Sequence, residues 1–375
     1  MTKNLKVVQI LPALDGGGVE RGTLEVAEGL IQHGHQAIVI SSGGRLVSSL
    51  EAMGAQHIEL PIAKKSLFTL LQIRPLRKLL TQLQADVIHI RSRLPGWITY
   101  FAWKGMLAAT RPKLVITTHG LHSVNAYSAI VAKGEKIIAV SETVRSYLLK
   151  NYPQISPQKI ALIHRGIDPK SFPYGYQADQ GWLKTWYQQY PQLAEKIVIT
   201  FPGRLTRLKG HIDFIALIDG LRQLEPKIHG LIVGGHHVSK VKYYEEIKNE
   251  VQNRELQNHI TFTGNRQDIK EIYSVSQLVL NLSQKPESFG RTVLEPLAMG
   301  VKVVAWDQGG VSEILAVLYP NGRVVKGDLD QLEKTVLQCL ADPTKPNENN
   351  PFLLKIMLEK TFQLYQQISV REFPK

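Results

Sequence analysis

Residues 5–21 read LKVVQILPALDGGGVER, an apolar run with the character of a strand that ends in three glycines. An amphipathic pattern typical of a helix begins at once and continues to residue 33. A strand, a glycine turn and a helix in this order form the first part of a βαβ unit, in which the next strand lies parallel to the first. This stretch therefore predicts an α/β protein with a parallel sheet.

The same alternation continues along the chain in two series. Further strands of the first series are expected at residues 36–41, 87–91, 114–118 and 136–140. An irregular, aromatic stretch at 172–190 interrupts the rhythm, and a second series follows at 197–201, 228–233, 260–263, 278–282 and 301–305. We therefore expect an N-terminal Rossmann-like domain at 1–170, a C-terminal one at 171–350 and a helical segment at 351–375.

Length and composition agree with two soluble domains. The 375 residues exceed what one hydrophobic core usually supports, and the 43% of hydrophobic residues can fill two cores. The start of the chain leads straight into the glycine turn, which is unlike a signal peptide, and no run reaches the roughly 18 apolar residues of a membrane-spanning helix. The one cysteine, Cys339, excludes an intramolecular disulfide. We expect a cytoplasmic protein.

The formal net charge of +13 indicates a polyanionic partner: nucleic acid, an acidic membrane or a phosphorylated substrate. Residues 64–80 carry five cations and no acid among apolar residues; the cations are Lys64, Lys65, Arg74, Arg77 and Lys78. This segment is either a basic surface that docks on an anionic membrane or an amphipathic helix packed on the first sheet. A nucleic-acid-binding protein would need an aromatic-rich basic face or a helix-turn-helix, and we recognise neither.

The glycines of the opening stretch, Gly16, Gly17 and Gly18, have two interpretations. They form a plain tight turn, or they let the backbone approach an anionic ligand at the start of a helix. The turn lacks the G-x-G-x-x-G spacing, and no well-placed acid follows the second strand. A dinucleotide oxidoreductase is therefore disfavoured.

Residues 203–210 read GRLTRLKG and follow the first strand of the second series. Arg204 and Lys209 lie five residues apart on this glycine-bounded loop. Together they could grip a diphosphate, the guanidinium through its planar fork and the ammonium as a point charge. The alternative is a solvated basic turn.

Residues 287–295 read ESFGRTVLE and place two carboxylates eight residues apart. On one continuous helix Glu287 and Glu295 would be separated by roughly 12 Å of rise. If a helix instead begins near Gly290, Glu287 lies on the preceding loop, and the first helical amides face the same crevice. Such a pair at the carboxyl end of a strand suits a hydroxyl-rich ligand, and the alternative is two surface charges.

These motifs together resemble family 4 glycosyltransferases of the GT-B fold, particularly those that build lipopolysaccharide and related bacterial glycans. Residues 287–295 match the family's E-x7-E motif, 203–210 match its G-R-x4-K-G loop, and 16–21 resemble its N-terminal GG-x-E-R turn. Secondary motifs follow in the family's order at 139–142 (AVSE), 164–168 (HRGID), 262–264 (FTG) and 307–310 (DQGG). The family often has Asn where this chain has Arg165, a departure that concerns acceptor or donor detail.

The resemblance implies two Rossmann-like domains whose parallel sheets face across a deep interdomain cleft, with the C-terminal helix returning to the N-terminal domain. It implies a retaining, metal-independent transfer of a sugar from a nucleotide-diphosphate-sugar to a lipopolysaccharide-type, lipid-linked or other glycan acceptor. No cofactor, metal or nucleic acid is expected. A nucleotide-sugar epimerase of the same fold is the alternative, and it would act on the donor without an acceptor.

The resemblance also assigns roles to residues. Arg204 and Lys209 would bind the donor diphosphate, Glu295 the ribose hydroxyls and Glu287 the donor sugar. Other expected donor-binding residues are Gly203, Ser288, Phe289, Gly290 and Arg291. Gly16, Gly17 and Gly18 would lie near the phosphates and the acceptor. His119, within TTHG at 117–120, matches the family's active-site histidine and would orient the sugar or the acceptor hydroxyl. The resemblance thus makes His119, Glu287, Arg204 and Lys209 the four residues expected to be catalytic.

Overall fold

The computed structural model describes residues 4–64, 66–235 and 241–369. The chain divides into two compact units, one formed by Met1–Gly166 with Leu354–Lys375 and the other by Ile167–Leu353. Each unit is built on a parallel sheet with helices between successive strands. The predicted fold class of two Rossmann-like α/β domains is confirmed.

The sheet of the first unit contains seven strands within the described residues. They are β1 (Lys6–Ile10), β2 (Gln36–Ser41), β3 (Gln56–Glu59), β4 (Val87–Ile90), β5 (Lys113–Thr118), β6 (Lys136–Ala139) and β7 (Ile160–Leu162). Their order is β3-β2-β1-β4-β5-β6-β7, and neighbouring strands are parallel. Strand order reverses between the neighbouring strands β1 and β4, so the loops that follow these two strands begin side by side at the carboxyl edge.

Helices cover both faces of this sheet, which explains why its strands are continuous apolar runs. They are α1 (Gly18–Gln32), α2 (Val47–Ala52), α3 (Ile73–Leu83), α4 (Arg93–Lys104) and α5 (Glu142–Asn151), with shorter 3₁₀ turns at Leu67–Gln72, Ser128–Ala132 and Pro157–Lys159. On β1, Val7, Val8 and Ile10 are fully buried. Gln9 is also buried, and its amide donates to the carbonyl of Thr23 on α1 (3.0 Å).

The basic segment at 64–80 divides into two parts. Its second part is α3, which buries Leu76 and Leu80, and Arg77 donates from Nε to the Ala102 carbonyl of α4 (3.2 Å). Its first part is the 3₁₀ turn Leu67–Gln72, which leaves Phe68 exposed. The packed-helix interpretation holds for α3 and not for the turn, while Lys65 lies outside the described residues.

The sheet of the second unit contains six strands within the described residues. They are β8 (Ile197–Pro202), β9 (Ile228–Val233), β10 (Ile260–Gly264), β11 (Leu278–Asn281), β12 (Val303–Trp306) and β13 (Arg323–Val324). Their order is β10-β9-β8-β11-β12-β13, again parallel throughout. Here the order reverses between β8 and β11, so the loops after these strands lie side by side at the carboxyl edge.

The helices of the second unit are α6 (Gln180–Gln189), α7 (His211–Leu224), α8 (Val241–Asn253), α9 (Ile269–Ser274), α10 (Arg291–Ala298), α11 (Gly309–Leu318) and α12 (Leu329–Ala341), with 3₁₀ turns at Pro191–Leu193, Arg207–Lys209 and Pro320–Gly322. The stretch expected to be irregular contains α6, which corrects that prediction. Asp179 caps this helix by accepting from the Trp182 amide (2.9 Å). Trp182 stacks on Trp186 (4.9 Å between ring centroids), and Trp186 is packed into the core beside β8 and β9.

The last helix, α13 (Leu354–Ser369), belongs to the first unit. It packs against α1, where the ring of Phe362 meets His33 edge-on at 5.3 Å. A Cβ on Gly29 of α1 would lie 2.9 Å from Leu358, so the absence of a side chain there allows the two helices to approach. The C-terminal helix therefore returns to the N-terminal domain, as predicted. In the described part of the chain, no helix combines the length and apolar character needed to cross a membrane.

Candidate active site

The loop after β8 carries the predicted phosphate grip. Backbone hydrogen bonds between this loop and the end of β9 continue beyond the paired strands. The Gly203 amide donates to the Val233 carbonyl (2.9 Å), and the Leu205 amide donates to the Gly235 carbonyl (3.0 Å). Leu205 is buried and anchors the loop, whereas Arg204 is exposed. The loop therefore projects the Arg204 guanidinium from a fixed backbone.

Lys209 stands at the end of this loop and is paired with Glu287 from the loop after β11. Lys209 Nζ lies 2.6 Å from Glu287 Oε1, and the two side chains are 24% and 21% exposed. The pair forms because β8 and β11 are neighbours in the sheet. The structure thus brings together two of the four residues predicted to be catalytic.

Glu287 accepts further hydrogen bonds on the same oxygen. Asn281 donates from Nδ2 (3.2 Å) and Ser283 from Oγ (2.5 Å). Burial by itself would raise the pKa of the Glu287 carboxyl, but the charge of Lys209 and these hydrogen bonds outweigh it and lower that pKa. Glu287 is therefore an ionised acceptor for hydroxyl or ammonium donors, not a proton donor.

Helix α10 begins at Arg291, directly after Gly290, as the spacing of the two glutamates requires. Gly290 has φ +111°, and a Cβ there would lie 2.7 Å from Val311. Glu287 is consequently on the loop, and Glu295 is in the second turn, buried and 3.2 Å from Arg291 Nε. A carboxylate at 6% exposure beside a guanidinium is held in one position and can accept from ligand hydroxyls.

The DQGG motif at 307–310 supports the loop that carries Glu287. Gly310 donates from its amide to the Glu287 carbonyl (2.9 Å). A Cβ on Gly309 would lie 2.5 Å from that same carbonyl oxygen, and one on Gly310 would lie 2.6 Å from the Cα of Phe289. The two glycines are needed for this close approach, so α11 fixes the backbone of residues 287–289.

In the first unit, His119 directly follows β5. Its Nδ1 lies 2.8 Å from Nη2 of Arg165, which follows β7 and is 8% exposed. A guanidinium only donates, so Nδ1 accepts and the ring proton is assigned to Nε2. Burial foremost, then the charges of Arg165 and Arg91, holds the pKa of His119 well below its usual range. The imidazole is therefore neutral.

Further buried polar groups surround His119 at the carboxyl edge of the first sheet. His89 on β4 bonds Thr117 Oγ1 and Tyr365 Oη, both at 2.6 Å, and Arg91 donates from Nε to Gln9 (2.6 Å). Burial lowers the pKa of Arg91 to about 10, which leaves it charged at neutral pH. A small cavity is lined by His89, Arg91, His119 and Arg165, among others.

The glycine turn at 16–18 joins β1 to α1 at this same edge of the first sheet. All three glycines are exposed, and a Cβ on Gly18 would meet nothing within 4 Å. Gly16 has φ +142°, a value that side-chain-bearing residues rarely adopt. The space is open at Gly18, whereas the guanidinium of Arg45 lies against Gly16 and the carboxylate of Glu20 lies against Gly17.

Within the described residues no group of three or more His, Cys, Asp or Glu side chains could hold a metal ion. The chain contains one Asp-x-Asp tripeptide, at Asp328-Leu329-Asp330, a pattern that binds metal in many transferases. Here Asp328 caps α12 by accepting from the Gln331 amide (2.8 Å). The tripeptide is thus part of a helix start.

Two family models match the chain, one mainly over each of the two units. The family model described as Glycosyltransferase Family 4 matches residues 16–171, and the one described as Glycosyl transferases group 1 matches residues 184–350. A glycosyltransferase from Rickettsia africae ESF-5, known from its crystal structure, is 31% identical with a TM-score of 0.83 over 98% of this chain and 100% of that one. The chain belongs to glycosyltransferase family 4.

Two other similar proteins extend the comparison. N-acetyl-alpha-D-glucosaminyl L-malate synthase of Bacillus anthracis is 25% identical in an alignment 345 residues long that covers 88% of this glycosyltransferase and 86% of the relative. Anabaena HepE, crystallised with UDP and glucose, shares the fold with a TM-score of 0.77 at 20% identity, over 98% of this chain and 100% of that one.

Sequence reasoning missed several residues of this glycosyltransferase that lie beside the predicted ones. In the second unit they are Asn281 and Ser283, whose signal was two polar residues at the end of an apolar strand. In the first unit they are His89, Arg91 and Arg165. Arg165 departs from the family pattern, but the sequence does not predict its contact with His119.

Proposed function

We propose that this enzyme is a retaining, metal-independent transferase that moves a sugar from a nucleotide-diphosphate-sugar to a lipopolysaccharide-type, lipid-linked or other glycan acceptor. The observation that carries the proposal is the Lys209–Glu287 pair at 2.6 Å, at the carboxyl edge of the second sheet and close to the start of α10. A cation for phosphate and a carboxylate for hydroxyls are thus held side by side, as a sugar diphosphate requires.

Departure of the nucleotide diphosphate places growing negative charge on its oxygens. Lys209 and Arg204 are proposed to stabilise that charge, together with the positive end of the α10 helix dipole. Glu287 holds Lys209 in position before the donor binds, so little reorganisation is needed during the reaction. These fixed charges take the role that Mg²⁺ has in other transferases.

The carboxylates are proposed to bind hydroxyl groups. Glu287 keeps its negative charge, so it accepts from the donor sugar, and Glu295 accepts from the ribose. Gly203, Ser288, Phe289 and Gly290 complete the donor site through their backbones. The exposed turn at 16–18 in the first unit is proposed to lie near the phosphates and the acceptor.

Retention is proposed to proceed by front-side attack. The acceptor oxygen bonds to the anomeric carbon on the face from which the diphosphate leaves, the bond from that carbon to the phosphate oxygen breaks, and a leaving-group oxygen takes the acceptor's proton. His119 is neutral and is assigned its proton on Nε2, so it donates a hydrogen bond and orients a hydroxyl or phosphate. It forms no covalent intermediate in this scheme.

The deciding experiment is a donor screen by thermal shift, followed by transfer assays with the best donor in excess EDTA. UDP-glucose is the first donor to test, because HepE of the same fold was crystallised with UDP and glucose. Acceptors should include lipopolysaccharide fragments and, given the malate synthase relative, small hydroxy acids. The expected product keeps the anomeric configuration of the donor, as read by proton NMR.

Three results would contradict parts of the proposal. Loss of activity in EDTA that Mg²⁺ or Mn²⁺ restores would overturn metal independence. An inverted anomeric centre would overturn the front-side mechanism. Conversion of the donor without any acceptor would instead identify a nucleotide-sugar epimerase.

A cytoplasmic enzyme with a lipid-linked acceptor meets its substrate at the membrane, and we propose that the turn Leu67–Gln72 docks on the anionic inner face. Phe68 is 77% exposed and Leu71 is 67% exposed, beside the exposed cations Lys64, Arg74 and Lys78. Each cation contributes on the order of 1 kcal/mol toward acidic lipid, and the apolar pair enters the interface.

Vesicle co-sedimentation tests the docking surface. Binding to phosphatidylserine vesicles should fall with salt, with Lys64, Arg74 and Lys78 changed to Gln, and with Phe68 and Leu71 changed to Ser. Leu107→Ser is the matched control, since Leu107 is 78% exposed elsewhere in the same unit. Equal binding to neutral vesicles, or no loss in either variant, would refute membrane docking through this turn.

A further inference from the structure

We propose that Arg165 is a positioning residue that holds His119 as a neutral imidazole with its proton on Nε2. This inference rests on the proposed role of His119 in orienting a substrate group. Arg165 itself need not touch the substrate, because it acts through the histidine.

The contact between the two side chains fixes the tautomer. Arg165 Nη2 lies 2.8 Å from His119 Nδ1, within hydrogen-bond distance. A guanidinium carries five donors and no acceptor, so it can bond Nδ1 only when that nitrogen is unprotonated. A neutral ring with a bare Nδ1 has its hydrogen on Nε2, and Nε2 is then a donor toward a hydroxyl or phosphate oxygen.

The guanidinium is itself held in place. Arg165 is 8% exposed, and Gly22 of α1 is buried against it. A Cβ at Gly22 would overlap Nη1 of Arg165, so a side chain there would push the guanidinium from its observed position. The guanidinium therefore occupies a space beside His119 that the missing side chain of Gly22 leaves for it.

The surrounding charges oppose an imidazolium at His119. Positive or titratable groups face it from several elements: His89 on β4, Arg91 after β4, His122 in the loop after β5, and Arg165 after β7. Glu25 on α1 faces Arg91 and partly offsets its charge, whereas Tyr365 on α13 also faces Arg91 but stays neutral because burial raises the pKa of its phenol. Arg165 therefore has two effects on His119. Its hydrogen bond to Nδ1 selects the tautomer with the proton on Nε2, and its positive charge disfavours protonation of the ring.

The family often has Asn at this position. An asparagine amide can rotate to present either a donor or an acceptor, so it does not impose one tautomer. In this chain the arginine imposes one tautomer. The change Arg165→Asn would remove this constraint, and the fold should tolerate it because the family often has asparagine at this position.

The test is NMR of the full-length protein labelled with ¹⁵N-histidine, with the His119 signals assigned by their loss in His119→Gln. In the wild type we expect the nitrogen shifts of a neutral Nε2–H tautomer between pH 6 and 8. Arg165→Met should give mixed tautomers and protonation at higher pH, and Arg165→Lys should preserve the wild-type pattern. The control Arg145→Met removes an exposed cation that pairs with Glu142 on α5, and it should change nothing.

An unchanged His119 tautomer and unchanged protonation in Arg165→Met would overturn the proposal. If that variant is not folded by circular dichroism, Arg165→Asn provides the same comparison, and wild-type shifts in it would also overturn the proposal. These spectra need no substrate, so their outcome is independent of whether the protein transfers sugar.

Activity adds a second readout once a donor is known. Loss of the positioning contact should lower kcat by about 10- to 100-fold, as for other residues that orient a histidine, with little change in the donor KM. Arg165→Lys should recover most of the loss. A rise in KM with unchanged kcat would show that Arg165 binds the donor directly and would refute the positioning role.

Discussion

Arg207 and Lys209 lie two residues apart on one 3₁₀ turn and have different partners. Arg207 forms a bidentate pair with Glu246 of α8 and is mostly exposed, whereas Lys209 pairs with Glu287 at the carboxyl edge of the sheet. Arg204 is exposed at the start of the same loop. Substituting these three cations one at a time can therefore distinguish their roles.

We expect Lys209→Ala and Arg204→Ala each to lower kcat by about 100-fold or more, because each removes a charge that we propose stabilises the leaving diphosphate. Arg207→Ala should stay within about twofold of the wild type, since an exposed ion pair contributes little. Steady-state kinetics with circular dichroism as the folding control measures this difference. Equal losses in all three variants would contradict the assignment of the phosphate grip.

Glu295 tests donor recognition separately from turnover. Glu295→Ala should weaken donor binding by roughly 10- to 100-fold, because hydrogen bonds to the ribose exist in the ground state and in the transition state alike. The effect should appear in the donor Kd, measured by calorimetry, and much less in kcat. A donor Kd equal to that of the wild type would remove Glu295 from the ribose site.

The spacing of residues predicted Lys209, Glu287 and Glu295 because they fall in recurring motifs. Asn281 and Ser283 belong to no such motif, and their role depends on the neighbouring loop that brings Glu287 to them. The same holds for Arg165, which reaches His119 across 46 positions only because β5, β6 and β7 are adjacent in the sheet. Contacts that depend on which strands are neighbours in the sheet cannot be predicted from short stretches of sequence.

At the scale of elements, α7 illustrates how a glycine sets the position of a loop. Gly210 precedes this helix with φ +84°, and a Cβ there would overlap the carbonyl oxygen of Leu282 after β11. Gly327 has nearly the same φ, +85°, but a Cβ there would meet nothing within 4 Å. Alanine at either position would pay the energetic cost of a left-handed backbone, but only alanine at 210 would also clash with the Leu282 carbonyl.

Gly210→Ala should therefore destabilise the protein more than Gly327→Ala, which we expect to cost roughly 1–2 kcal/mol for the left-handed backbone alone. Gly210→Ala should also lower kcat, because Lys209 is its neighbour and the loop must shift to relieve the overlap. Urea unfolding midpoints and kcat for both variants test this. Equal destabilisation by the two substitutions would show that the loop yields without strain.

Most elements could be predicted because buried parallel strands read as apolar runs. The helix α6 was missed, since the aromatic residues of its stretch suggested irregular structure. Trp182 and Trp186 are in fact four residues apart and stack on one helix face, and the cap at Asp179 was the overlooked start signal. For residues 64–80, the sequence left two interpretations open because α3 is amphipathic and the turn before it is exposed.

At the scale of the whole molecule, each unit contains buried histidines that remain neutral. In the first unit, burial holds the pKa of His89 and of His119 well below the usual range. In the second unit, burial lowers the pKa of His211 and of His229 from 6.5 to about 4. All four are expected to have their ordinary pKa in the unfolded chain, so their protonation is linked to unfolding.

The free energy of unfolding should therefore decrease as the pH falls below about 6.5, because the unfolded chain then takes up protons that the folded chain excludes. For His211 and His229 this continues to about pH 4, the lowered value in the folded state. The loss is roughly 1.4 kcal/mol per pH unit for each such histidine. The lowered carboxylate pKa values of Glu287, Asp268 and Asp307 add a loss only in more acid solution, so the window from pH 6.5 to about 5 belongs to the histidines.

His229→Gln isolates one of these contributions. The glutamine amide can keep a hydrogen bond to Thr261, which lies 2.9 Å from His229 Nε2, and it does not titrate. Urea unfolding at pH 7, 6 and 5 should show a shallower loss of stability than in the wild type, by about 1.4 kcal/mol per pH unit. If His229→Gln loses stability between pH 7 and 5 as steeply as the wild type does, then His229 takes up its proton over the same pH range in the folded and the unfolded protein, and burial does not keep it neutral.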